Sequence, residues 1–543
     1  MTQTDQPALP SESLTAIGRV VWLLLIVATL YFSYFYNLGV IGLVGPDEPR
    51  YAWIARDMAE TGDWVTPRLY GKPWFEKPVL YYWGAALSFK WFGVSDATAR
   101  FPSAAAALFA TLAMAWLAWR TYGAETARWL LLLLPPTIGM IGFSHAAATD
   151  MPFAGTLTMA MVCIFVILDA PPSPSPPTLL AFALFGIFLG LAVLAKGPAA
   201  LVLSGGAVLP WAAITSRWRE AFRCFHPLSI ATFCLTALPW YILCARRNPD
   251  FFRIFIIEHN FKRYLTPEFQ HIQPFWFYVP VTLVAILPWA VLLIWGVTLG
   301  IRRIRRSGRP GSPTILLLCW AVFCLVFFSV SKSKLPGYIL PAIPATGLLL
   351  TRAYVVFSRE NEESLHWTMT LYSMISLLAG VGLIGLGKRF HGPPATGEMI
   401  VAGCVALAFA LANLMLTLKA RIFPVGALCV VPVLLLIVLF RPLSHPWLAR
   451  DPSGKTLALE LATAHIANDR IYAADMKRGQ LYSLSFYLHR EIESWNRQAS
   501  SAYLLVPSRH CQDLTGRSFT CADSPVQLGR SGWFAYRIEA KGQ

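Results

Sequence analysis

Acidic side chains are scarce in this chain. Its 543 residues hold 29 Asp and Glu against 45 Lys and Arg, and charge of either sign accounts for only 14% of positions. A soluble domain carries roughly a quarter charged residues and uses them to interrupt its apolar runs. Here apolar runs long enough for a bilayer core, about 20 residues each, recur from Ile17 to Phe440. An ordinary soluble fold is excluded. Zinc-site spacing is missing too, because the ten cysteines lie mostly inside apolar runs and no pair has ligand spacing. Cys511 and Cys521 alone share a polar segment, where an oxidising compartment would let them pair. A cleavable leader is lacking as well: the polar stretch 1–13 runs into a long apolar one, which reads as a retained first span. The net charge of +16 would point to nucleic acid in a soluble basic module. No such module exists here, and the arginines cluster in short loops between apolar runs, so nucleic-acid binding is excluded in favour of membrane topology.

What is present predicts an all-α polytopic membrane protein of about 13 transmembrane helices. The spans fall near 17–36, 97–119, 127–144, 149–169, 178–195, 198–216, 226–245, 275–300, 313–331, 335–357, 367–387, 397–418 and 422–440. Basic loops set the orientation. A cytoplasmic N-terminus puts Arg120, Arg128, Arg217, Arg219, Arg223, Arg302, Arg303, Arg305, Arg306, Arg309, Lys419 and Arg421 inside. An odd span number then sends the tail outside. The division is a membrane domain over 1–440 and a soluble domain over 441–543. The outer loop 38–96 holds two amphipathic stretches rich in Trp and Tyr, 48–61 and 78–92, suited to lie at the interface. A second outer loop spans 246–274. The tail reads as a small α/β domain, with a helical stretch at 455–467 and alternating apolar segments at 502–507 and 533–538. No internal repeat is visible, which weighs against an inverted-repeat transporter.

Charged groups near a bilayer are costly and are functional candidates by default. On the outer face they gather in short patches: Pro46-Asp47-Glu48-Pro49-Arg50-Tyr51, Trp74-Phe75-Glu76-Lys77-Pro78, Thr149-Asp150-Met151-Pro152, Ala195-Lys196-Gly197-Pro198, Ser333-Lys334-Leu335-Pro336-Gly337-Tyr338, and Glu258-His259-Asn260-Phe261-Lys262-Arg263 with His271 beyond it. Each has a bland reading. Asp47 and Asp150 have the positions of helix caps. Lys77, Lys196 and Lys334 have the reach to snorkel to headgroups. The convergence of acidic, basic and aromatic residues on one face favours a site.

These motifs carry a family resemblance. The stretch from Pro46 through Glu76-Lys77-Pro78-Val79-Leu80-Tyr81-Tyr82-Trp83 resembles bacterial membrane glycosyltransferases of the protein O-mannosyltransferase-like superfamily, and within it the aminoarabinose (4-amino-4-deoxy-L-arabinose) lipid A transferase family. Thr149-Asp150-Met151-Pro152 and Ser333-Lys334-Leu335-Pro336-Gly337-Tyr338 fit the same family. The resemblance implies a GT-C type fold, interfacial helices in the first periplasmic loop and a periplasmic C-terminal domain. It also implies transfer, with inversion, of a sugar from undecaprenyl phosphate to a lipid A phosphate at the periplasmic face of the inner membrane. Polymyxin and cationic peptide resistance would follow, because masking a phosphate lowers the surface's negative charge.

The chemistry assigns candidate roles. Negative charge grows on the leaving phosphate as the sugar bond breaks, so cations beside it lower the barrier. Lys77, Arg263, Lys196 and the Tyr338 hydroxyl are the candidates. Asp47 is the first candidate to face the positive anomeric carbon, with Asp150 and Glu76 behind it. Arg50, Tyr51, Tyr81, Tyr82 and Lys334 are candidate substrate contacts. No cofactor is required; a divalent metal on Glu76, His259 and His271 is an open alternative, although their spacing matches no metal motif. Two rival readings stay open at this point. One is a related glycosyltransferase with a protein, lipid or core-sugar hydroxyl as acceptor, which would need a general base. The other is a transporter, which would want charges buried in mid-helix rather than at span ends.

Overall fold

The computed structural model describes residues 16–171, 175–262, 272–307, 310–360, 453–495, 502–507, 519–521, 525–528 and 532–540, with isolated helical positions between 367 and 434. Helix α1 (Ala16–Tyr34) leads into an irregular segment and then into α2 (Glu48–Thr61), a short β1–β2 hairpin (Arg68–Leu69, Lys72–Pro73) and α3 (Leu80–Phe92). The expected amphipathic stretches are therefore helices, the second starting two residues late because Pro78 precedes its first turn. Helix α4 (Asp96–Tyr122) opens on a capping box in which Ser95 and Thr98 bond reciprocally.

The bundle continues with α5 (Ala124–Leu133), α6 (Ile138–Ser144), α7 (Asp150–Asp169), α8 (Pro176–Lys196), α9 (Ala199–Thr215), α10 (Trp218–Phe222) and α11 (Pro227–Arg247). A π-helical segment (Arg253–Lys262) follows, then α12 (Tyr278–Ala285), α13 (Ala290–Ser307), α14 (Ser312–Val330), a 3-10 turn (Pro336–Ala342) and α15 (Ile343–Glu360). Almost the whole of α7 is buried, and it packs between α4 and α8. Small residues on the buried face of α4, among them Ala104, Ala107 and Ala110, let the backbones approach.

Among the described residues seven helices are long and apolar enough to cross a membrane, or nine if each bent pair is one span. Two expected spans are broken. The stretch 127–144 divides into α5 and α6, which meet at 62°, and 275–300 divides into two helical pieces meeting at 113°. Pro135 and Pro136 stand in the first break and Pro288 in the second, where each removes a helix donor inside an apolar run that hydropathy alone reads as continuous. The expected spans at 367–387, 397–418 and 422–440 and the boundary at 440/441 lie largely outside the described residues.

The C-terminal region has the expected mixed character. Helices α16 (Lys455–Thr463) and α17 (Arg478–Leu488) accompany a six-stranded sheet of β3 (Ile471–Ala473), β4 (Glu493–Ser494), β5 (Ala502–Val506), β6 (Phe519–Cys521), β7 (Val526–Leu528) and β8 (Trp533–Ala540). Its order is β4-β3-β5-β8-β6, with β7 also on β8; β3 runs parallel to β4 and β5, and β8 antiparallel to its neighbours. Alternation along the strands divides two cores. Ile471, Leu505 and Ala535 join Leu457, Leu461 and Leu484 under the helices, while Tyr472, Leu504 and Ile538 form the opposite face. Cys521 is disulfide-bonded; Cys511 lies outside the described residues.

Candidate active site

The segment between α1 and α2 brings Asp47 to the start of α2. Asp47 makes no side-chain cap bond, so the capping explanation for its carboxylate fails. Its Oδ1 instead accepts from Arg50 Nη2 at 2.5 Å, and the same Nη2 lies 2.9 Å from Glu76 Oε2. The two acids share one guanidinium. Their exposure differs: the Asp47 side chain is 53% exposed, whereas Glu76 is 12% and Arg50 6% exposed. Arg50 is also stacked over Trp74 and Tyr51, at 5.2 and 5.4 Å from their ring centroids.

Around this triad buried polar atoms stand without a hydrogen-bond partner among the described residues: Arg50 Nε, Trp74 Nε1 and the Tyr82 hydroxyl. Burying such groups unpaired costs roughly 1–3 kcal/mol each, and active sites are where proteins retain such arrangements. Burial, reinforced by the Glu76 carboxylate, pushes the Tyr51 and Tyr82 phenols well above their ordinary range, so both are neutral hydroxyls at physiological pH. Tyr81 is different. Its hydroxyl donates to the Ala99 carbonyl at 2.8 Å and ties α3 to α4.

A second acid–base pair lies at the start of α7. Thr149, rather than Asp150, occupies the cap position of α7 and makes no side-chain cap bond. Lys196, at the end of α8, donates from Nζ to Asp150 Oδ1 at 2.6 Å and sits 4.8 Å from the Tyr338 ring centroid. It is therefore a paired, largely buried group rather than one reaching for headgroups. Gly337 packs so closely on this pair that an added Cβ would lie 3.0 Å from Asp150 Oδ1. Lys334 is buried, and its Nζ donates to the carbonyls of Ser331 at 2.6 Å and Gln273 at 3.1 Å, which fastens the Ser333–Tyr338 motif to the end of the second outer loop. Lys77 is half-buried beside Glu76 in the chain.

One hydrogen bond links the segments that carry the two pairs. Glu48, the neighbour of Asp47, accepts from the Ala147 amide at 2.7 Å, three residues before Asp150. Its main partner is Arg100 of α4 at 2.8 Å. Arg100 received no role from the sequence reading, although an arginine this close to an apolar span was itself a signal. Arg263 and His271 lie outside the described residues, as does the His259 side chain. The described residues contain no group of three or more His, Cys, Asp and Glu able to hold a metal.

A family model described as dolichyl-phosphate-mannose-protein mannosyltransferase matches residues 20–255. The undecaprenyl phosphate-alpha-4-amino-4-deoxy-L-arabinose arabinosyl transferase of Aeromonas salmonicida is 33% identical over 415 residues, covering 74% of this chain and 74% of the relative. The protein of the same name from Edwardsiella ictaluri is 34% identical over 339 residues, covering 62% of this chain and 59% of the relative. In fold, the chain is similar to the crystal structure of ArnT from Cupriavidus metallidurans bound to undecaprenyl phosphate, with a TM-score of 0.79 at 23% identity over 96% of this chain and 100% of that one. The apo form of the same protein gives 0.77 at 22% identity over 97% and 100%.

Proposed function

From the premise that this chain belongs to the family of undecaprenyl phosphate-alpha-4-amino-4-deoxy-L-arabinose arabinosyl transferases, we propose that it passes 4-amino-4-deoxy-L-arabinose to a phosphate of lipid A at the periplasmic face of the inner membrane. The chain is a multi-pass membrane enzyme of the lipid-linked sugar glycosyltransferase class. Undecaprenyl phosphate is the carrier its relatives are named for. The acceptor and the membrane face are our own inference.

One observation carries the mechanistic reading: Asp47 is a half-exposed carboxylate steadied by a buried arginine, within a shell of unpartnered donors. In the reaction the bond between the anomeric carbon and the donor phosphate oxygen breaks, and the electron pair leaves with undecaprenyl phosphate. A lipid A phosphate oxygen bonds to the same carbon. The acceptor is already anionic, so no proton need be removed from it. Asp47 then has an electrostatic task, to stabilise the positive character of the anomeric carbon and to orient the amino sugar. Arg50 holds it in place, and Glu76 sets the position of Arg50.

Charge on the departing phosphate is met by Lys77 and Lys196, with Arg263 as the bidentate candidate. Asp150 keeps Lys196 aimed, and the Tyr338 hydroxyl adds a donor. The Trp74 and Tyr82 donors are suited to sugar hydroxyls. A metal would have Glu76, His259 and His271 as its candidate ligands; no step above depends on one. Transport has no support beside this family membership.

The test is lipid A mass spectrometry from a polymyxin-sensitive, transferase-null bacterium that makes the aminoarabinose donor and expresses this chain or its Asp47→Asn variant. We expect one aminopentose added by the parent chain and at least a 1,000-fold lower yield from the variant, about 4 kcal/mol of transition-state stabilisation. Unmodified lipid A, with the parent chain folded in the membrane, would remove lipid A as the acceptor.

A further inference from the structure

The segment that delivers Asp47 has no regular backbone pairing, yet it is held from two sides. From within the bundle, all five N–H donors of Arg100 are engaged: Nε with Glu48 Oε1 at 3.1 Å, Nη1 with the carbonyls of Leu38 and Ile41 at 2.8 and 2.6 Å, and Nη2 with the Gly42 carbonyl at 2.9 Å and Glu48 Oε2 at 2.8 Å. From the other side comes the C-terminal region, more than 400 residues away in sequence. The Tyr487 hydroxyl accepts from the Leu43 amide at 2.8 Å, and Ser483 Oγ donates to the Leu43 carbonyl at 2.8 Å. Both backbone groups of Leu43 are thus satisfied by side chains of α17. Tyr487 also donates to Asp96 Oδ1 at 2.5 Å, and Lys455 pairs with the other oxygen of that carboxylate. Burial, together with the Asp96 carboxylate, pushes the Tyr487 phenol above its ordinary range, so its donor proton is retained.

Packing reinforces these bonds. A Cβ on Gly479 would lie 2.7 Å from the Gly45 carbonyl carbon and 3.1 Å from the Pro46 nitrogen, immediately before Asp47. A Cβ on Gly42 would lie 2.2 Å from Ser453 Oγ. The two backbones meet at a distance only glycine allows. A surface chosen merely to bury the soluble domain would not require side-chain bonds to both groups of one loop residue.

We propose that α17 of the C-terminal region, through Tyr487 and Ser483, is a positioning element for Asp47, so that the soluble region sets turnover without touching substrate. The proposal rests on the catalytic reading of Asp47 given above. Tyr487 acts through the Leu43 backbone, four residues before the carboxylate, and its removal takes away the acceptor of the Leu43 amide while the Arg100 bonds remain. Misplacing a reacting group by ~1 Å costs on the order of 100-fold in rate, whereas donor affinity is set elsewhere.

The experiment compares the full chain in lipid nanodiscs with its Tyr487→Phe and Ser483→Ala variants. It follows transfer kinetics per folded molecule, the unfolding midpoint, and hydrogen–deuterium exchange of the peptide over 42–48. We expect Tyr487→Phe to lower kcat by about ten-fold with an unchanged KM for the lipid-linked donor. Exchange should quicken over 42–48 while the rest of the membrane bundle keeps its protection. Ser483→Ala should move both readouts in the same direction by less. Faster exchange with unchanged kcat, or a rise in KM alone, would overturn the proposal, as would a loss of activity that merely follows the loss of folded protein. If the parent chain transfers nothing to lipid A, the function reading fails by itself. The exchange arm then decides the clamp, and unchanged protection over 42–48 in Tyr487→Phe rejects it.

Discussion

Asp47 and Glu48 are adjacent carboxylates, and each faces an arginine, yet they have opposite fates. Glu48 is buried and its two oxygens accept four bonds, from Arg100 Nε, Arg100 Nη2, the Val44 amide and the Ala147 amide. Its partner Arg100 has no N–H left over. Asp47 is half exposed, and its partner Arg50 keeps a buried Nε without a bond. Salt-bridge distance alone does not separate the two pairs, at 2.8 and 2.5 Å. What separates them is saturation. A pair with every lone pair and proton engaged is a rivet; a pair with capacity in reserve can meet a substrate.

The largest effect should come from opening the rivet. In Arg100→Met the Glu48 charge stays buried without its counter-ion, and three carbonyls lose their donor. Breaking such a pair costs about 3–5 kcal/mol, so folded protein should be largely lost from the membrane fraction, as read by detergent-resistant monomer yield and unfolding midpoint. Replacing both partners in Glu48→Leu/Arg100→Met should not restore stability, because the Val44 and Ala147 amides still need an acceptor. A stable, active double variant would show that saturation is not what distinguishes these pairs.

The complementary change is Arg50→Lys. A lysine keeps the charge, but it loses the Nε donor and the guanidinium plane that lies over Trp74, and its single ammonium cannot keep the same fixed geometry toward Asp47 and Glu76. We expect kcat to fall by about ten-fold, roughly 1.4 kcal/mol, with the unfolding midpoint close to the parent value. A destabilisation equal to that of Arg100→Met would erase the contrast between the pairs and make the Asp47 cluster structural.

Much of this was legible in the chain. The bounds of α2, the polar patches and the mixed tail followed from periodicity and from the rarity of charge, because a bilayer leaves few places for charged residues. The two broken spans were not legible, since Pro135, Pro136 and Pro288 sit inside apolar stretches whose hydropathy hides them. Charge type gave the candidate acids but not their partners. Nothing in the sequence places Lys196 beside Asp150, or the Ser331 and Gln273 carbonyls beside Lys334. Ser483 carries no motif, and Tyr487 belongs only to Ser485-Phe486-Tyr487-Leu488, where the resemblance to the family is weaker. Their role depends on which backbone groups of a distant loop lack partners, and that is a property of the assembled fold.

The exposed end of the same scale is the contact between α2 and the C-terminal region at Glu60. Its Oε2 lies 2.9 Å from His489 Nε2, while Oε1 accepts from Arg56 at 2.8 Å; about half of the Glu60 and His489 side chains is exposed. Against the upward push of burial, the hydrogen bonds from Arg56 and His489 hold the Glu60 carboxyl below its ordinary value. A carboxyl lowered by folding contributes stability that is present above its unfolded pKa, near 4.3, and lost as pH falls through the folded value. An exposed pair of this kind is worth only about 0–1 kcal/mol. Glu60→Gln should therefore lower the unfolding midpoint slightly at pH 7, and the gap from the parent should close as the buffer is taken below about pH 4. A gap that persists unchanged at pH 3 would mean that Glu60 acts through packing rather than charge. The gradient from the saturated Glu48 through the half-open Asp47 to the exposed Glu60 would then lose its lowest point.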